Sequence, residues 1–286
     1  MKPEDLLRHP LPTQTPKLTL GCPILDRFLG GGIPCDTITE IFAESGTGKT
    51  QLSLQLLLAA QLPISRGGLS ASSLYLHSEF PFPSRRLHQL SFYRPHLPQN
   101  PLDRIFVEPL HSTDHLLDVL PRLDFLVPKL NIKLIVIDSI AALFRGEYEN
   151  TPLELKRRSG VFFKISSKLK FLAREFGLAV VLTNQVVDVM GSSNNLRIGN
   201  SMSLCSSGRT VCAALGLSWA NCVNMRLFMW REEEKVGMSE EERLGEGDGS
   251  FQRLQTRRFI RVVFAPHLPD SSCEFVIRRE GILGVS

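Results

Sequence analysis

The residues best suited to chemistry lie in one short run, Ala43-Glu44-Ser45-Gly46-Thr47-Gly48-Lys49-Thr50. It fits a Walker A phosphate loop with Ala in place of the first Gly. Glycines at this spacing let backbone N–H groups turn inward and cradle phosphate oxygens at a helix N-terminus. Lys49 then reaches β- and γ-phosphates, and the Thr50 hydroxyl is placed to ligate Mg²⁺. Residues Glu44 to Thr50, with Gln51, form the expected nucleotide-contacting set, and the implied cofactors are ATP and Mg²⁺.

Three other polar residues fall at the ends of apolar runs. Leu134–Ile137 ends at Asp138, a Walker B pattern that holds the metal shell. Ser73–Leu76 leads through His77 and Ser78 to Glu79, a carboxylate placed to orient and deprotonate an attacking water. Ala179–Leu182 leads to Thr183-Asn184-Gln185, where an amide can sense the γ-phosphate. Lys49, Glu79 and Gln185 are therefore the expected catalytic residues, and Thr50 and Asp138 the expected metal residues.

Positioning these groups takes an open α/β sheet, whose ligands bind beyond the carboxyl ends of its strands. Thr37–Phe42 reads as the strand before the phosphate loop, and about Lys49 to Gln61 as the helix after it. The apolar stripe Val161, Ile165, Leu169, Leu172 and Phe176 marks another helix over Ser159–Phe176. Residues 1–16, with four prolines, read as an extended tail, and 17–286 as the core. Two stretches lack hydrophobic periodicity: 187–213, rich in Ser, Asn and Gly, and 232–250, dense in Glu and Gly. The second is expected to be a mobile acidic insertion between strands Asn224–Trp230 and Arg258–Phe264.

The bulk composition constrains the class. The 286 residues are 43% hydrophobic and carry a formal charge of +4, which permits a nucleic-acid partner without requiring one. Six cysteines without a zinc-ligand spacing read as reduced thiols of a cytosolic or nuclear protein. No secretory leader or apolar run of membrane-spanning length is visible, so no membrane partner is expected.

These residues together resemble the RecA-like recombinase family, in its eukaryotic branch. The resemblance runs from Leu18-Thr19-Leu20-Gly21-Cys22 and Gly30-Gly31-Gly32-Ile33 through Leu74–Glu79, Arg86-Leu87, Asp138–Arg145 and Thr183–Val186 to Ala265-Pro266-His267-Leu268-Pro269. Gly216–Asn221 and Ser271-Ser272-Cys273 liken it to the family's paralogues, in a plant form. The fold implied is a RecA-like P-loop ATPase core: a mostly parallel twisted sheet flanked by helices, with two long mobile loops. The resemblance implies that Glu79 activates water, Gln185 senses the γ-phosphate and Arg86 stacks on adenine. DNA-binding loops would fall at about 145–159 and 187–215, with Arg145, Arg197 and Arg209 as contacts. Homologous-recombination repair, meiosis and a nuclear location with a possible cytoplasmic pool are further implications. So are DNA, a C-type recombinase paralogue and the main strand-exchange recombinase as partners. The basic run Lys156–Arg174 suits phosphate contacts or a solvated helix face equally. Full recombinases carry a helical DNA-binding domain and a Phe-x-x-Ala tether before the core, and a nucleotide-capping aspartate that would fall near Phe264. None of the three is found, so independent filament formation is not expected. Two readings stay open, a weak DNA-stimulated ATPase and a structural partner that binds ATP for assembly. A P-loop kinase or helicase lacks support, because no lid arginines, acceptor site or downstream arginine finger can be identified.

Overall fold

The structure, a computed structural model, describes residues 15–79, 81–148, 151–189, 204–236 and 253–286. The elements begin with β1 (Lys17–Leu18), α1 (Pro23–Phe28), β2 (Ile33–Pro34), β3 (Ile38–Ala43), α2 (Lys49–Ala59), β4 (Ser72–His77), α3 (Ser84–Phe92) and β5 (Ile105–Pro109). Next come α4 (Thr113–Val119), α5 (Leu123–Lys129), β6 (Ile132–Asp138), α6 (Ile140–Leu143), α7 (Pro152–Phe176), β7 (Ala179–Asn184) and β8 (Val186–Asp188). The chain finishes with β9 (Leu204–Ser206), β10 (Arg209–Ala213), α8 (Gly216–Ala220), β11 (Met225–Val236), β12 (Arg253–Phe264), β13 (Ser272–Arg278) and β14 (Gly281–Gly284).

A nine-stranded sheet runs in the order β14-β13-β12-β11-β3-β7-β6-β4-β5. From β11 to β5 every pairing is parallel, and the three pairings from β11 to β14 are antiparallel. Side chains alternate between faces along each strand. Leu134 and Val136 of β6, with Ala179 and Val181 of β7, pack on the face covered by α2. Ile135, Ile137, Val180 and Leu182 pack on the opposite face against α7 and α8, where the ring of Trp219 lies 5.3 Å from that of Phe162. Burial on both faces explains why these strands read as continuous apolar runs.

Three expected boundaries are corrected. Helix α7 begins at Pro152, because Thr151 accepts from the Glu154 N–H at 3.3 Å and Pro152 occupies the first turn. The second half of the expected 145–159 loop is therefore helix. The stretch 187–215 is not all loop: β8, β10 and β9 form a small antiparallel sheet in that order, while 190–203 lie outside the described residues. The expected acidic insertion also begins in strand. Residues 232–236 of β11 pair with 253–257 of β12, setting Glu232 opposite Arg257, and Arg257 also bonds Glu274 at 2.6 Å. Opposed charges suit a cross-strand pair. Residues 237–252 and most of the N-terminal tail lie outside the described residues, in which no helix is long and apolar enough to cross a membrane.

Candidate nucleotide site

Parallel strands β3, β4, β6 and β7 end at one edge of the sheet, and all the expected catalytic and metal residues meet there. Lys49, Thr50, Glu79, Asp138 and Gln185 line one cleft of about 320 Å³ with Tyr75 and His77. A larger cavity of about 750 Å³ lies at the opposite edge, but none of its lining residues is a carboxylate.

The phosphate loop turns where only glycine is comfortable. Gly46 has φ 79° and Gly48 φ 126°. A Cβ on Gly48 would also come within 2.9 Å of the Ile277 side chain. Gly48 caps α2, so the first N–H groups of that helix open toward the cleft. The Lys49 ammonium donates to the Ala43 carbonyl at 2.8 Å and the Glu44 carbonyl at 2.9 Å. Burial pushes its pKa below the ordinary lysine value, and the charges of Asp138, Glu79 and Glu44 oppose that shift.

Asp138 accepts from three hydroxyls: Thr50 at 2.7 Å, Tyr75 at 2.6 Å and Thr183 at 2.6 Å. Burial first, then the Asp138 charge and hydrogen bond, raise the Tyr75 pKa above its ordinary value, so the phenol stays a donor. Thr50 Oγ1 and Asp138 Oδ2 form a small set of hard oxygens beside the phosphate loop. This set fits Mg²⁺, which favours one or two protein oxygens together with phosphate oxygens and water.

Glu79 is bonded on both oxygens. Oε1 accepts from Arg145 at 3.0 Å and from Gln185 at 2.8 Å, and Oε2 accepts from Gln185 at 2.9 Å and from Ser139 at 3.3 Å. Arg145 also bonds the Gln185 amide oxygen. The expected water-activating carboxylate and the expected sensor amide therefore share one guanidinium. Gln185 itself is held from below: Asn184 accepts from its N–H at 2.7 Å, donates to buried Glu40 at 2.7 Å, and Glu40 pairs with Arg226 at 2.6 Å.

Other expected residues sit elsewhere. Glu44 turns its side chain away from the cleft, accepting from Ser207 and Arg209 at 2.8 Å each, with Arg231 at 3.4 Å. Burial pushes its pKa up, but those partners prevail and hold it below the ordinary carboxylate value. Thr47 is fully buried and bonds the Glu44 carbonyl. Arg86 is off the cleft wall; its guanidinium bonds Gln51, Gln89 and the carbonyls of Arg278 and Arg279. Of the expected DNA contacts, Arg145 faces Glu79, Arg209 bridges Glu44 and Asp188, and Arg197 lies outside the described residues. Tyr75, Ser139 and Thr183 support the site and Arg231 holds Glu44 beside it, roles the sequence did not assign to them. Buried hydroxyls close to the ends of apolar strands are the signal that could have found Tyr75 and Thr183.

A family model described as Rad51 matches residues 13–212, which span the phosphate loop, Glu79, Asp138 and Gln185. The chain belongs to the Rad51 family. Among similar proteins, the "DNA repair protein XRCC3 homolog" of Arabidopsis thaliana is 55% identical, over 100% of this chain and 98% of its own length. The "DNA repair protein XRCC3" of Bos taurus is 37% identical, over 98% of this chain and 79% of its own. The "DNA repair and recombination protein RadA" of Ignicoccus hospitalis is 32% identical, over 93% of this chain and 72% of its own. The Rad51-family match ends before β11, so the Arg231 contact to Glu44 comes from a part of the chain beyond it.

Proposed function

We propose that this chain is an ATP- and Mg²⁺-binding, DNA-binding recombinase paralogue of homologous-recombination repair, acting in the nucleus on double-strand breaks and crosslinks and in meiosis. It works in a heteromeric complex with a C-type recombinase paralogue, alongside the main strand-exchange recombinase, and hydrolyses ATP weakly with stimulation by DNA. The observation that carries this reading is the convergence of Lys49, Thr50, Glu79, Asp138 and Gln185 on one cleft. The names of the similar repair proteins supply the biological setting.

In this reading Lys49 leaves the loop carbonyls for the nucleotide phosphates, and Thr50 and Asp138 hold Mg²⁺. The metal would neutralise charge on the phosphate oxygens. Glu79 orients the attacking water and takes its proton, while Gln185 hydrogen-bonds the γ-phosphate and carries its presence into β8. The test is ATP hydrolysis by the purified chain, with and without single-stranded DNA and the C-type paralogue, beside Glu79→Gln. We expect the variant to retain ATP binding and lose at least about a hundredfold in kcat. Turnover at an unchanged rate would move the water-activating role to another residue.

A second reading, a structural partner that binds ATP for assembly and hydrolyses little, draws on the bonding of Glu79. Both of its oxygens are engaged by Arg145, Gln185 and Ser139. In that case ATP binding persists with no Glu79-dependent turnover under any condition.

A further inference from the structure

A carboxylate has about four acceptor positions. On Glu79 three donor groups make four contacts: Arg145 on Oε1, Ser139 on Oε2, and the single Nε2 of Gln185 shared between both oxygens. A base so engaged is a poorer acceptor for a proton from water. Loss of a donor therefore frees the base, and the three are held in different ways.

Ser139 is buried and caps α6 through the Ala142 N–H, so it is fixed by the backbone. Gln185 follows directly on β7, its backbone N–H held by Asn184 and through it Glu40, while its amide is the group given to the γ-phosphate under Proposed function. Arg145 differs from both. Its side chain is 62% exposed, against 23% for Glu79. It sits in the turn just after α6, with its own N–H bonded to the Ala142 carbonyl. The backbone around it is pinned: Phe144 is buried, its ring 4.7 Å from that of Phe162, and Glu147 accepts from Thr113 N–H and Oγ1 at 3.2 and 2.6 Å. The guanidinium can therefore swing into solvent without moving its turn. It also heads the segment that leads to α7, where Lys156 and Arg157 are exposed.

We propose that Arg145 is a latch on Glu79, closed by their ion pair and opened when the phosphates of a single-stranded nucleic acid take the guanidinium. Arg145 is then a positioning residue with two alternative anionic partners: a carboxylate inside the cleft and a phosphodiester outside it. An exposed ion pair is weak, so a polyanion competes with it at low salt. This inference rests on the role given to Glu79 under Proposed function.

The experiment compares steady-state ATP hydrolysis of the full chain, Arg145→Ala, Arg145→Gln, Glu79→Gln and Arg145→Ala/Glu79→Gln, with and without a single-stranded oligonucleotide. Binding of a fluorescent ATP analogue verifies that each variant is folded. We expect both Arg145 variants to raise the nucleic-acid-free kcat about two- to five-fold, the range an exposed ion pair can hold back, with KM unchanged. The oligonucleotide should then stimulate them less than it stimulates the parent chain. A nucleic-acid-free kcat that stays level or falls overturns the latch. A raised kcat that the oligonucleotide still multiplies by the parental factor overturns nucleic acid as the trigger. If Glu79→Gln turns over at the parental rate, or the double variant keeps the raised rate, the role of Glu79 fails instead.

Discussion

Asp138 shows how single residues set this cleft. It lies at the end of a buried strand and offers only acceptors, so the hydroxyls of Tyr75 and Thr183 fix its plane while that of Thr50 joins it to the phosphate loop. An orienting partner of this kind commonly carries about tenfold or more of a site's metal affinity. Tyr75→Phe keeps the buried ring and deletes one donor. The Mg²⁺ concentration that half-supports ATP binding should therefore rise about tenfold, with affinity in the absence of Mg²⁺ unchanged. A Mg²⁺ titration followed by fluorescent-nucleotide binding measures it, and an unmoved midpoint would leave Tyr75 a packing residue only.

The strands that follow the phosphate loop in sequence bear on it directly. Strand β11 runs parallel to β3 and pairs Met229 with Ala43, so its remaining residues overhang the phosphate edge together with β12. A ladder of rings supports the overhang, Phe42 to Phe228 at 5.2 Å, Phe228 to Trp230 at 5.6 Å and Trp230 to Phe259 at 5.0 Å. From there Arg231 reaches Glu44, and Ser207 and Arg209 reach it from the β9–β10 turn. Glu44 is thus a tether between the phosphate loop and two hairpins. Its pKa is depressed in the folded chain, so the unfolded chain binds the proton more tightly. The stabilisation is therefore complete above the ordinary value of 4.5 and is lost as pH falls through the depressed one. Glu44→Gln should cost about 1–3 kcal/mol near neutral pH, and urea midpoints of the two proteins should converge as the solution is acidified below that range. A gap that is constant with pH would assign the loss to packing. None of this tether was legible in the sequence, because it joins residues more than 160 positions apart. The strands and the phosphate loop were legible because local periodicity and glycine spacing encode them. The apolar stripe marks α7 only from Val161 onward, because the turns before it carry the polar Lys156, Arg157 and Arg158. The local signal for its start is the Thr151-Pro152-Leu153-Glu154 cap.

For the whole molecule, the nine-stranded sheet separates two large cores. Helix α2 belongs to the first core and begins in the phosphate loop, while α6 and α7 belong to the second and follow Asp138. A nucleotide bridging Lys49, Thr50 and Asp138 would tie elements of both cores through one ligand. The unfolded chain has no such site, so binding raises stability by mass action, about 2.7 kcal/mol at a hundredfold excess over Kd. For a chain of this size that is a rise in Tm of about 5 °C. ATP with Mg²⁺ should produce it in differential scanning fluorimetry, and Lys49→Ala should remove most of it. The shift should survive in Glu79→Gln, which loses only the base. This separates binding from turnover, because the assembly-ligand and ATPase readings both require the shift and only the second requires Glu79. A Lys49→Ala chain with the full shift would place the nucleotide outside the phosphate loop and remove the common ground of both readings.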